Sequence, residues 1–372
     1  MDFVNDALIL ALNCGSSSVK CTLFSFGMER VFDLQLQQQN VDEALQKLIE
    51  KGGIDPVRIQ AIGHRFVHGG EQFWKSQLVQ EETLHQLTEL SPLAPLHNPF
   101  CLEGIKACQK RFPGIPEVVV FDTAFHHDIP QEAAYYALPW ELAKKLGIRR
   151  FGFHGIAHAY LWQTYAQKMG GSENKRLITF HLGNGCSMSA IRGGRCLDTS
   201  MGFTPAEGLV MATRAGDVDS GVVEQLCNQG GMSPVEAMEL LNNQSGLLGV
   251  SGISGNMEKL LNSKDDRAQS AIELFCYRAV KYAGAYMAVL GGVDAVLFSG
   301  GIGENASFIR EKIVQKMGWC GWKLDQTKNA GAVGLKTGSH ELIHSPSSSV
   351  AIGVAAVDEN KQIAEEVLRL CR

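Results

Sequence analysis

The sequence predicts an α/β protein built on a duplicated plan in two domains, and two observations carry that expectation. First, 372 residues exceed what a single hydrophobic core usually supports. Second, an apolar run that breaks into a turn of small residues occurs three times. Leu8 to Leu12 leads into Asn13-Cys14-Gly15-Ser16-Ser17-Ser18, Leu177 to Leu182 into Gly183-Asn184-Gly185-Cys186-Ser187, and Ala295 to Phe298 into Ser299-Gly300-Gly301-Ile302-Gly303. Strands ending in such turns present backbone N–H groups and hydroxyls that can converge on an anion.

Each element has its own reason. After the first turn the apolar run Val19 to Phe26 resumes, and after the second the chain leaves through Met188 to Ile191, so both read as hairpins. The third turn differs because it opens the helical-looking Ser307 to Met317. Helices are expected over Val41 to Gly52, Gln80 to Ser91, Ala271 to Leu290 and Asn360 to Leu370, where apolar residues recur at three-to-four spacing. Taken singly, each glycine turn also suits an ordinary tight turn of a large α/β protein.

Composition narrows the function classes. The chain is 45% hydrophobic and 20% charged, with a formal net charge of −5 and a pI near 6.1. That balance offers no basic footprint for nucleic acid or an anionic membrane. Met1 to Asp6 carries acid rather than base, and the apolar run Ala7 to Leu12 stops at Asn13, unlike a signal peptide. Ala283 to Phe298 is interrupted by Asp294 and is too short to span a bilayer. Ten cysteines without a C-x-x-C pair read as reduced, mostly buried thiols of a cytoplasmic protein. Cys186 reads as one of them rather than as a nucleophile.

Four segments hold candidate chemistry. Gly63 to Gly70 places Arg65 in a strand-like run, Phe121 to His126 puts Asp122 directly after the apolar Val118 to Val120, Arg149 to Gly155 sets His154 between glycines, and Met211 to Asp217 carries Arg214 in a loop. Cationic clamps, an acid at a strand end and phosphate-cradling turns are what phosphoryl transfer asks of a protein. Individually, Arg65 and Arg214 also suit surface salt bridges, Asp122 a helix cap, and His154 a structural imidazole. The pairs His64/His68 and His154/His158 have a four-residue spacing that would suit zinc on a helix. The first lies in a strand-like run and neither brings the glutamate of a metalloprotease motif.

Together the segments resemble the acetate kinase family, the acetate and propionate kinases of the actin-like group that includes sugar kinases and heat-shock chaperones. The matching motifs are Asn13-x-Gly-Ser-Ser-Ser-x-Lys20, Gly63-His-Arg-x-Val-His-Gly-Gly70, Leu93-Ala-Pro-Leu-His-Asn-Pro99, Phe121-Asp-Thr-Ala-Phe-His126, Phe151-Gly-Phe-His-Gly155, His181-Leu-Gly-Asn-Gly185, Asp198-Thr-Ser-Met-Gly-Phe-Thr-Pro205 and Gly300-Gly-Ile-Gly-Glu-Asn305. They run from Asn13 to about Glu359, nearly the whole chain.

The resemblance implies two duplicated actin-like, ribonuclease H-like domains with an active-site cleft between them: 1–128 with 358–372, and 129–357. It implies a cytoplasmic homodimer that uses Mg²⁺ and ATP/ADP to phosphorylate acetate, with propionate also accepted. Asn13 and Glu359 match the metal site. Lys20, His181, Leu182, Gly183, Asn184, Gly185, Asn256, Gly301, Ile302, Gly303, Glu304 and Asn305 match the nucleotide site. Arg65 and Arg214 match the residues that hold carboxylate and moving phosphoryl, His154 the stabiliser of the equatorial oxygens, and Asp122 the catalytic acid. Since an acyl carboxylate has no proton to lose at neutral pH, the role read for Asp122 is orienting substrate and arginine. Val67, Leu96, Phe153 and Pro205 match a small apolar acyl pocket.

The chain departs from the family pattern twice. An Asp-x-Arg is replaced by Asn256-Met257-Glu258, which predicts weak discrimination among purine triphosphates, and paired acids are reduced to Glu359-Asn360. A propionate or butyrate kinase, and a non-catalytic actin-like nucleotide-binding module, are the alternatives. The second has no need of Arg65, Asp122, His154 and Arg214.

Overall fold

The computed structural model describes residues 7–15, 18–37, 40–95, 97–170 and 174–371. The chain divides into two compact units, Met1–His127 with Asp358–Arg372, and Asp128–Val357.

In the first unit, strands β1 (Leu8–Cys14), β2 (Val19–Ser25), β3 (Arg30–Leu36), β4 (Ile59–Phe66), β5 (Gln77–Leu78) and β6 (Glu117–Phe121) form one sheet in the order β3-β2-β1-β4-β6-β5. In the second, β7 (Arg176–Leu182), β8 (Cys186–Arg192), β9 (Arg195–Thr199), β10 (Ala295–Ser299), β11 (His340–Leu342) and β12 (Ala351–Ala355) form another, β9-β8-β7-β10-β12-β11. The two sheets share one plan. In each, three antiparallel strands (β1 to β3, β7 to β9) are followed across the sheet by two parallel ones and an antiparallel edge. The duplication expected from the repeated strand-and-turn pattern is therefore present in the hydrogen bonding itself.

Burial follows position in the sheet. The central strand β1 is buried along its whole length, as a strand covered on both faces should be, which is why it reads as a continuous apolar run. On one side Leu8, Leu10 and Leu12 join Val41, Leu45 and Leu48 of the helix Val41–Gly52. That helix starts where the Asn40 side chain accepts from Glu43 N and ends at Gly53 in the left-handed region. The helix Glu359–Leu370 packs on β1 and β4. It lies so near β4 that a Cβ on Gly63 would stand 2.5 Å from Ile363 and 2.6 Å from Val367. Glycine at 63 is thus required for the approach.

Three boundaries differ from expectation. The long helix begins at Asp266 rather than Ala271, because Asp265 caps it by accepting from Arg267 N at 2.8 Å. The segment expected to run to Ser91 stops at Glu89, and Ser91–Leu93 forms a single tight 3₁₀ turn containing Pro92. Gly300–Asn305 is itself a short helix rather than an open turn, with the Glu304 carboxylate folded back to accept from Gly300 N at 2.9 Å. No helix among the described residues is long and apolar enough to cross a membrane.

Candidate active site

In the first unit, candidate residues meet where β1, β4 and β6 end beside the start of the helix Glu359–Leu370. Strand alternation puts Gly63 and Arg65 on the helix side of β4. His64 takes the other side and pairs there with buried Glu117 at 2.6 Å. Arg65 Nε donates to both oxygens of Asp122 at 3.1 Å, and Nη2 donates to Oδ2 at 2.5 Å. Its Nη1 donates to Asn13 Oδ1 at 3.1 Å, and Asn13 Nδ2 donates to Glu359 Oε2 at 3.2 Å. Asp122 is buried while Arg65 keeps 19% of its side chain exposed, so the guanidinium is anchored on its buried side and the arginine still reaches the surface.

The electrostatics match this placement. Burial pulls the Arg65 pKa down, but the charges of Asp122 and Glu359 more than offset it, and the group stays cationic. Burial raises the pKa of Asp122 against the opposing pull of Arg65, with Glu359 adding to the rise.

Asn13 and Glu359 offer only oxygen donors: an amide oxygen with a second lone pair and a neighbouring carboxylate. Among the described residues no group of three or more His, Cys, Asp or Glu could hold a metal alone. Two oxygen groups suit a cation such as Mg²⁺, which keeps most of its waters and takes further oxygens from phosphate. The neighbours of Glu359 are otherwise engaged. Asp358 caps the helix and pairs with Arg30 at 2.5 Å, and Asn360 donates to Thr22 Oγ1 at 2.7 Å. Lys20 lies opposite Asn13 across the β1/β2 pair, with its side chain exposed.

Val67 follows β4 and is buried. The loop it opens is held by buried Asn98, whose side chain accepts from His68 N at 3.1 Å and donates to His68 O at 3.2 Å and Leu90 O at 2.9 Å. Leu96 lies outside the described residues.

In the second unit, His154 and Arg214 converge on the turn after β7. A Cβ on Gly185 would lie 3.5 Å from His154 Nε2 and 3.8 Å from Arg214 Nη1. His154 sits at φ 56°, at the start of the helix Gly155–Lys168. A left-handed conformation at a non-glycine residue costs about 1–3 kcal/mol and is found disproportionately at functional sites. Arg214 is half-buried; its Nη1 donates to Pro205 O at 3.2 Å, and among the described residues no carboxylate pairs with it. Burial lowers its pKa with only the Cys186 thiol opposing, and a buried cation without a counter-charge is costly unless an anion joins it. The Cys186 thiol is itself buried, which pushes its pKa up to about 12, so it is no nucleophile at neutral pH.

The loops are braced from behind. Phe151 N and Gly152 N both donate to Gly202 O, at 3.1 and 3.2 Å. Arg150 donates to Thr199 O at 3.1 Å and Glu207 Oε1 at 2.5 Å, and Tyr136 hydrogen bonds to the other Glu207 oxygen. A Cβ at Gly202 would fall 1.6 Å from Glu207 Oε2, so any side chain there would displace this brace. Phe153 is buried and Pro205 half-buried.

A cavity of about 750 Å³ opens beside the same turn. Gly183, Asn184, Asn256, Gly301, Ile302 and Asn305 line it, joined by Met257, Glu258 and Asn262. Its volume is that of a pocket for a nucleotide-sized ligand. His181 instead bonds Ser299 Oγ at 3.1 Å, Leu182 and Gly303 are buried in the packing beneath, and Glu304 closes its own helix, with burial raising its pKa. Asn256 spends its side-chain oxygen on Lys259 N, as a helix cap. Glu258 remains exposed on the cavity wall.

In comparison with known proteins, residues 28–365 match the acetokinase family. The chain belongs to that family. It is 40% identical to the acetate kinase of Agathobacter rectalis, over 97% of this chain and 99% of that one, and 42% identical to that of Halothermothrix orenii, over the same shares. Among solved structures, Porphyromonas gingivalis acetate kinase superposes with a TM-score of 0.91 at 37% identity, covering 98% of this chain and all of that one. A propionate kinase from Francisella tularensis gives 0.89 at 37%, covering 98% and 99%. As a member of this family the chain is a kinase, a phosphotransferase with a carboxyl group as acceptor, and its fold is the two-domain actin-like one.

Several residues that shape the acetokinase site escaped the motif reading. Arg310 is fully buried, and its five N–H groups donate to Asn329 Oδ1, Gly303 O, Glu304 O, Asn329 O and Ala332 O at 2.7–2.9 Å. Without a carboxylate, burial lowers its pKa to about 10, still cationic at neutral pH. It clamps the C-terminal end of the helix that lines the cavity. In sequence Arg310 sits among charged residues of a surface-like helix, and nothing in its spacing separates it from them. Ser187 and His158, taken up below, were visible in sequence only as a turn residue and as half of a four-residue histidine spacing, with nothing to connect them.

Proposed function

We propose that this acetokinase transfers the γ-phosphoryl group of ATP reversibly to acetate, giving acetyl phosphate and ADP, and accepts propionate as well. The observation that carries the reading is Arg214: a half-buried guanidinium with no carboxylate partner among the described residues, which meets His154 at the Gly185 turn. A guanidinium placed so has a use for an anion, and a phosphoryl group in transfer supplies one.

The roles follow from chemistry. Arg214 would take the charge of the moving phosphoryl group and His154 would donate to its equatorial oxygen. Arg65, oriented by Asp122, would hold the acyl carboxylate. Val67, Phe153 and Pro205 would limit the acyl chain, together with Leu96. Since one methylene is worth only about 1–3 kcal/mol in an apolar pocket, propionate is not strongly rejected. The nucleotide would occupy the cavity along Gly301, Ile302 and Asn305, its phosphates toward Gly183 to Gly185 and Lys20 in reserve for their charge. Asn13 and Glu359 would hold Mg²⁺, which when bound would offset phosphate charge.

The relatives named acetate kinase support acetate as acceptor, and the propionate kinase neighbour supports tolerance of one more methylene. A cytoplasmic homodimer is part of the same proposal. A coupled assay of the purified chain with acetate, propionate and butyrate against ATP, GTP and pyrophosphate, with and without Mg²⁺, tests it. Turnover of butyrate above acetate, or no turnover of any acid, would overturn it.

A further inference from the structure

Behind His154 runs an unbroken buried chain of hydrogen bonds. His154 Nδ1 lies 3.0 Å from Ser187 Oγ, Ser187 Oγ lies 2.7 Å from His158 Nε2, and His158 Nδ1 lies 2.7 Å from Thr179 Oγ1. Ser187, His158 and Thr179 are fully buried. The placement is simple: His158 stands one turn along the helix that His154 begins, and Ser187 on β8 and Thr179 on β7 face that helix.

We propose that Ser187 and His158 are positioning residues that hold His154 as a neutral imidazole with its proton on Nε2, the nitrogen that faces the Gly185 turn. The inference rests on the reading of His154 as a donor to the phosphoryl oxygen.

Each hydroxyl in the chain donates once and accepts from another donor, so the chain has two senses. In the outward sense Thr179 donates to His158 Nδ1, His158 Nε2–H donates to Ser187, and Ser187 donates to His154 Nδ1. His154 then carries its hydrogen on Nε2. In the reverse sense His154 Nδ1–H donates inward, and the last proton must pass from Thr179 to Ser189 O at 3.4 Å. The three short contacts are kept in both senses, so the groups that face Nε2 decide between them. The reverse sense also leaves Nε2 either as a bare lone pair, which repels a phosphoryl oxygen, or protonated as an imidazolium. The titratable and charged groups around the ring include the Arg214 guanidinium, His181 at 4.8 Å between ring centroids, His158 beyond Ser187, and the Cys186 thiol. A permanent cation so close disfavours a second positive charge.

The test uses the full chain labelled with ¹⁵N-histidine, whose imidazole nitrogen shifts report which nitrogen holds the proton. His154 is assigned by its loss in His154→Ala. At neutral pH wild-type His154 should be neutral and protonated on Nε2, and kcat should not fall as the pH rises from about 7 to about 8.5, above the ordinary imidazole range. Ser187→Ala should scramble the tautomer and lower kcat about ten- to a hundredfold, the range for losing a partner that orients a working imidazole, with nucleotide KM unchanged. Ser187→Thr should restore both. An Nδ1–H or imidazolium His154 in the wild type overturns the proposal, as does a Ser187→Ala enzyme with wild-type tautomer and kcat. The wild-type spectrum decides even where Ser187→Ala does not fold. Full activity in His154→Ala would instead defeat the donor role on which the inference rests, while the spectrum still judges the tautomer.

Discussion

Replacing Asp122 by Asn isolates what the buried carboxylate does, because shape is kept and charge is lost. Three contacts tie Arg65 to Asp122: Nε to each oxygen at 3.1 Å and Nη2 to Oδ2 at 2.5 Å. An asparagine retains one accepting oxygen and turns an NH₂ group toward the guanidinium. With that oxygen at the Oδ2 position one contact to a charged acceptor is lost, worth about 1.5–3 kcal/mol, and the other two weaken by about 1 kcal/mol each as their acceptor becomes neutral. Part of that returns as Arg65, with 19% of its side chain exposed, takes up water. What remains, about 2.7–4 kcal/mol of misorientation at a group that must meet the transition state, is a fall in kcat of about a hundred- to a thousandfold. The assay is acetyl phosphate formation, trapped as hydroxamate, with nucleotide KM expected to stay put because Asp122 touches no residue of the cavity. The pH profile adds a second reading. Burial raises the Asp122 pKa, so as the pH falls the carboxyl protonates earlier than an ordinary aspartate and releases Arg65. The wild-type acid limb should therefore lie above that of an ordinary aspartate and vanish in Asp122→Asn. A variant with kcat within about threefold of wild type, or with the acid limb intact, would refute the reasoning.

Three further outcomes are expected. Glu258→Arg replaces an exposed carboxylate on the cavity wall with a cation that can stack on a base, and should lower the KM for ATP with little change in kcat; an unchanged KM would remove Glu258 from the base site. Arg310→Met strips five buried oxygens of their donor, so the denaturation midpoint should drop by the equivalent of about 3–5 kcal/mol, with a rise in nucleotide KM as Gly300–Asn305 loosens. Unchanged stability would mean that relief of the buried charge offsets the lost bonds. Val67→Ala opens space behind β4 and should raise kcat/KM for propionate relative to acetate; an equal ratio in both enzymes would show that Val67 does not meet the acyl chain.

By itself the sequence determined the duplicated α/β plan, since a strand buried on both faces has to be apolar throughout and the turns at its end have to be small. It also determined the family, through motifs whose residues are held by backbone geometry: Asn98 grips His68 on both sides of its peptide, and Gly202 leaves room for Glu207. Arg65, Asp122, His154 and Arg214 could be singled out as candidates because they lie inside such motifs. Only the tertiary structure decided how their charges are balanced. That Arg65 is paired and Arg214 is not depends on which carboxylates the two sheets bring within 4 Å, across separations such as the 57 residues between Arg65 and Asp122, and local patterns carry no record of such distances. The same holds for Arg310, whose partners are backbone carbonyls that every residue possesses. It holds too for the chain from Thr179 to His154, in which a serine, a threonine and a histidine of ordinary appearance become one connected path only when a helix is laid against two strands.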